Sequence, residues 1–67
     1  MSVAKVTEIT SSSSTSFEDA LQAGIKRASK TLENVQSAWI QDHEVGIKDG
    51  NITEYRVRMK VTFILND

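Results

Sequence analysis

The chain has 67 residues, 39% of them hydrophobic and 25% charged, a formal net charge of −1, one His, and neither Cys nor Pro. This length holds a single domain, 1–67, and a domain this small buries too little surface to be robust alone. The composition excludes disulfides and zinc–thiolate sites, argues against a protein-only catalytic zinc centre, and offers no broad basic surface to nucleic acid or an anionic membrane.

Partner subunits are the stabilising device that remains. The amino terminus lacks an apolar signal-peptide region and no stretch approaches a membrane span, so the expectation is a soluble, cytoplasmic protein.

Val3 to Thr10 reads as a first strand. Val3, Val6 and Ile9 are apolar, and Thr7 and Thr10 suit a sheet. Val6 and Ile9 fall on opposite phases, which fits an edge strand with contacts on both faces, or a bulge. The run Ser11 to Ser14 suggests a hydroxyl-rich phosphate cradle or a loop between strand and helix. No glycine accompanies the serines to let backbone approach a phosphate, which favours the loop.

A helix follows, capped by Thr15 or Ser16, since Thr15 with Glu18 and Ser16 with Asp19 both have capping-box spacing. Glu18 and Asp19 sit where the helix dipole favours anions, and Lys26, Arg27 and Lys30 where it favours cations. Phe17, Ala20, Leu21, Gly24, Ile25, Ala28, Leu32 and Val35 fall within a stripe roughly 140° wide at the helical period. The helix is therefore amphipathic and laid on a sheet. Gly24 and Ala28 bring its axis close to the strands.

Ala38 to Lys48 is the second strand. Trp39, Val45 and Ile47 share one phase and Ile40 takes the other. Lys48-Asp49-Gly50-Asn51 is a hairpin turn, because Asp-Gly supplies the positive φ angles of a tight turn. The last stretch, Ile52 to Leu65, alternates most strictly. Tyr55, Val57, Met59, Val61, Phe63 and Leu65 are apolar, with Arg56, Arg58, Lys60 and Thr62 between them. At roughly 3.3 Å per residue such a strand reaches on the order of 45 Å. A compact chain of this size is only about 28 Å across. A strand longer than its own globule implies contact with another copy.

The fold class is α+β, in the order β-α-β-β. A three-stranded antiparallel or mixed sheet wraps around one amphipathic helix, and the right-handed crossover rule allows the first strand to lie parallel beside the third.

Three constellations could carry chemistry. Trp39, the single tryptophan, lies on a strand poor in apolar residues, and its ring either faces a subunit boundary and stacks there on a flat ligand, or serves as a core or interface anchor without ligand. Gln41, two residues along, shares its phase and can line the same pocket. Asp42-His43-Glu44 resembles a metal or acid–base cluster, but in a strand His43 faces away from the other two. No second base and no nucleophile elbow exist for a hydrolytic triad. Arg56, Arg58 and Lys60 form a basic row that either meets a phosphate or carboxylate, or pairs with Glu8, Asp42 or Glu44 across the sheet.

With these residues in place the chain resembles a dodecin over nearly its whole length. The resemblance lies in the short first strand and Ser-rich turn, and in the helix from Ser16-Phe17-Glu18-Asp19-Ala20 to Ala28-Ser29-Lys30-Thr31-Leu32. It continues through Trp39, Lys48-Asp49-Gly50, Glu54-Tyr55-Arg56-Val57 and Lys60-Val61-Thr62-Phe63. It implies a hollow homododecamer that binds flavin (FMN, riboflavin or FAD) in pairs at two-fold axes, for storage and buffering with quenching and without catalytic turnover. Trp39 matches the stacking tryptophan, with Gln41 and Arg56 as further cofactor-binding candidates. Arg56 stands where flavin-binding members often carry glutamine, and arginine offers donors only. The hairpin is also shorter than in many of them. Some members bind coenzyme A on the outer surface, for which Arg27 and Lys30 are candidate contacts. Members lacking the tryptophan have been linked to divalent cations, so retention of Trp39 favours flavin over a cation-binding shell held by Asp42 and Glu44. An enzyme such as a flavin reductase ranks last, since nothing supplies a nicotinamide site.

Overall fold

The computed structural model describes residues 2–65; Met1, Asn66 and Asp67 lie outside the described residues. The element order is β1 (Ala4–Ser13), α1 (Phe17–Thr31), β2 (Val35–Lys48) and β3 (Asn51–Ile64). One three-stranded sheet has the order β1-β3-β2, and both outer strands run antiparallel to β3.

The expectation of a first strand parallel to the third is therefore corrected. The crossover helix makes β1 and β2 the parallel pair, and the hairpin then turns β3 back between them, antiparallel to both. Asp49 and Gly50 have φ of 53° and 79°, the left-handed pair that a two-residue turn demands.

Ser16 is the helix cap: its Oγ accepts from the Asp19 N–H at 3.0 Å. Ser13 Oγ accepts from the Thr15 N–H at 2.9 Å and donates to Asp19 Oδ2 at 2.6 Å. Ser11, Ser12 and Ser13 are thus strand residues, and the expected loop is confined to the few residues after them. The helix ends at Thr31, and Val35, placed on the helical stripe by spacing alone, opens β2.

Ala20, Gly24 and Ala28 are the buried helix positions, and Val57, Met59 and Val61 are the fully buried side chains of β3. Phe17, Leu21, Ile25, Leu32, Ile9, Val35 and Ala38 pack around them. A Cβ on Gly24 would stand 2.8 Å from Met59 Cε and 2.9 Å from Ser11 Cβ, so the missing side chain is what seats the helix. β1 keeps one regular register with β3, so Ile9 turns to the helix and Val6 to the opposite face, 46% exposed. The molecule measures 51 × 19 × 13 Å.

Candidate functional site

The helix covers one face of the sheet, and strand alternation sends the remaining residues to the other. The buried positions of β3 are odd-numbered, so Arg56, Arg58, Lys60 and Thr62 line the open face. Register then decides what stands beside each. Lys60 lies between Glu8 on β1 and Trp39 on β2. Arg58 lies between Thr10 and Asp42, and Arg56 between Ser12 and Glu44.

Trp39 is half exposed on this face, at 50%. A ring this open keeps apolar surface that a partner can cover. The ladder passes from Ile40–Met59 to Asp42–Arg58, so Gln41 occupies a bulge. Plain alternation, which put Gln41, Val45 and Ile47 on the phase of Trp39, does not survive this bulge. Asp42 and Glu44 now share the open face with Trp39, while Val45 pairs with Tyr55 on the helix face. Gln41 itself is exposed, two residues from the ring.

Arg56 and Arg58 are held by carboxylates. Glu44 Oε1 accepts from Arg56 Nη1 and from Arg58 Nη2, both at 2.7 Å. Arg58 Nη1 donates to Asp42 Oδ1 at 3.0 Å, Arg56 Nη2 donates to Glu54, and Arg56 Nε donates to Ser12 Oγ at 3.4 Å. These hydrogen bonds, first that from Arg56 and then that from Arg58, hold the Glu44 carboxyl below the ordinary glutamate range. Reciprocally, Glu44 reinforces the charge on Arg56, and Asp42 that on Arg58. Of the two readings of the basic row, cross-strand pairing describes both arginines.

Lys60 differs from them: among the described residues it forms no ion pair. Alternation along β3 puts it in the basic row but does not put it beside Trp39. Counting outward from the Asp49-Gly50 turn would have paired the two, because the bulges at Thr53 on β3 and Gln41 on β2 cancel.

His43 is on the helix face, stacked on Phe17 at 4.4 Å between ring centroids, and Tyr55 meets Phe17 edge-on at 5.2 Å. It therefore does not join Asp42 and Glu44, as strand alternation required. Among the described residues no group of three His, Asp or Glu gathers as a metal site, and no helix is long and apolar enough to cross a membrane. A groove of about 480 Å³ runs between α1 and β1, with Ile9, Ser11, Gly24 and Arg27 in its walls.

The family model described as Dodecin matches residues 3–66. A dodecin structure from Streptomyces davaonensis superposes with a TM-score of 0.93 at 33% identity, covering 98% of this chain and 97% of that one. An arginine-to-alanine variant of the Thermus thermophilus dodecin gives 0.94 at 30% identity, with both chains fully covered. A curated relative, the calcium dodecin of Mycobacterium tuberculosis, is 29% identical over 63 residues, 94% of this chain and 89% of the relative.

Proposed function

The chain belongs to the dodecin family, and on that footing we propose that it binds flavin without catalysis, storing and buffering FMN, riboflavin or FAD inside a homododecamer. The observation that carries this reading is Trp39: half exposed, on the open sheet face, beside polar groups. A large aromatic ring left on an open face gains most by stacking on another flat ring. A two-fold axis through this face would set two such rings opposite each other and enclose flavin between them. The indole, packed against the isoalloxazine, would supply the electron that quenches the excited flavin.

The other contacts follow from the same face. Gln41, on its bulge, has both a donor and an acceptor for the polar edge of the ring. Arg56 forms the far wall, with its guanidinium already shared by Glu44 and Glu54. Coenzyme A is a second ligand of the reading, with Arg27 and Lys30 on the helix surface as its contacts.

The test is Trp39→Ala. Trp39 lies outside the packed core, so the variant is expected to fold and assemble as the parent does, while flavin emission is no longer quenched. Undiminished quenching in that variant would remove the stacking role.

A divalent-cation shell is the second reading. It is favoured by the name of the curated relative, calcium dodecin, and by Asp42 and Glu44 lying on one face of β2. Against it, these carboxylates already neutralise two guanidiniums. Calcium-dependent thermal stabilisation that disappears in Asp42→Asn would favour the shell; an unshifted Tm would exclude this site for it.

A further inference from the structure

Given flavin stacking on Trp39, we propose that Lys60 is the residue by which this site reads ligand charge, so that phosphate-bearing flavins are preferred over neutral ones. Register sets Lys60 directly across from Trp39. Side chains opposite each other in an antiparallel pair have Cβ atoms about 5 Å apart. A group extending from the edge of a ring on Trp39 therefore starts within reach of the Lys60 ammonium.

The arginines are less suited to the task. Arg56 and Arg58 share Asp42, Glu44 and Glu54, two cations among three carboxylates. To reach a phosphate, either one gives up charge-assisted hydrogen bonds that it already makes. Arg56 also stands four residues along β3 from Lys60, about 13 Å at the strand rise. Lys60 carries no such commitment. Glu8 is its cross-strand neighbour on the other side, yet the two form no ion pair. Lys48 is remote, next to the hairpin turn. Lysine is a compact charge on a flexible stem, which suits a phosphate at the end of a mobile chain.

The experiment titrates the unsubstituted protein, Lys60→Gln, Lys60→Arg and Arg56→Gln with riboflavin and with FMN, following flavin fluorescence. The unsubstituted protein is expected to bind FMN on the order of tenfold more tightly than riboflavin, an advantage that shrinks as salt is raised. Lys60→Gln is expected to bring the two affinities together while keeping riboflavin binding, which also certifies the fold. Lys60→Arg is expected to restore the preference, and Arg56→Gln to change the affinities for both flavins alike, so that their ratio stays as in the unsubstituted protein. Equal affinities or a riboflavin preference in the unsubstituted protein overturns the proposal. So does an FMN preference that survives Lys60→Gln or vanishes in Arg56→Gln. Loss of both flavins in the unsubstituted protein overturns the flavin reading itself, and this proposal with it.

Discussion

At the scale of single residues, Glu44 orders the open face. One carboxylate oxygen bridges two guanidiniums that would otherwise repel each other two positions apart on β3. Its pKa is depressed in the folded chain. The stabilisation it contributes is therefore complete above the ordinary glutamate range and is lost as pH falls through the lowered folded value. The stability gap between the parent and Glu44→Gln, read from urea midpoints, is expected to be open at neutral pH and to close in acid. A gap that stays constant through acid pH contradicts this role. The pairing of Arg56 and Arg58 with Asp42 and Glu44 is among the alternatives the sequence offers, but alternation alone does not fix it: the stretch between the bulges at Thr53 and Gln41 is what sets both carboxylates across from the arginines. The place of Lys60 was not read from it. Residues in two strands become neighbours through register, which has to be counted from the turn and is not given by the alternation of either strand.

At the scale of elements, the helix and β3 were legible because their periods are long and strict. The helix cap was narrowed to Thr15 or Ser16 and is Ser16. The ends of β1 and β2 were less legible. Serines suit loops by propensity, yet Ser11, Ser12 and Ser13 extend β1 because β3 offers them a complete ladder, with Val57, Arg56 and Tyr55 as partners. The direction of β1 was misread because the crossover was assigned to the neighbouring strand rather than to β2. The seat of the helix on the sheet yields a quantitative expectation. Gly24→Ala gains about 1 kcal/mol of helix propensity. Its Cβ, however, lands 2.9 Å from Ser11 Cβ, so the helix must lift from β1. Overpacking of that kind costs about 1–3 kcal/mol. A net destabilisation of about 1 kcal/mol in denaturant titration is expected, and a more stable variant would show that the helix sits less tightly than its geometry implies.

At the scale of the whole molecule, the subunit is long rather than round. Its greatest extent is 51 Å and its radius of gyration 13.9 Å. A compact chain of the same length would have a radius of about 11 Å. Strand length relative to globule size made this elongation legible in the sequence. Elongation leaves Val6, Trp39, Ile47 and Ile52 exposed on a chain with a small core, and association is how such a chain gains the burial it lacks alone. The proposed subunit number and the proposed flavin rest on resemblance to dodecins, because neither is written into one chain's periodicity. In that proposal both meet at Trp39, where a ligand ring would be enclosed between copies. The most direct test is a fluorescence titration of the flavin-free protein with riboflavin and FMN, following flavin and Trp39 emission together. Both emissions are expected to fall in parallel and to saturate at one flavin per subunit. If neither flavin is quenched, the family and the fold stand, and the proposed function does not.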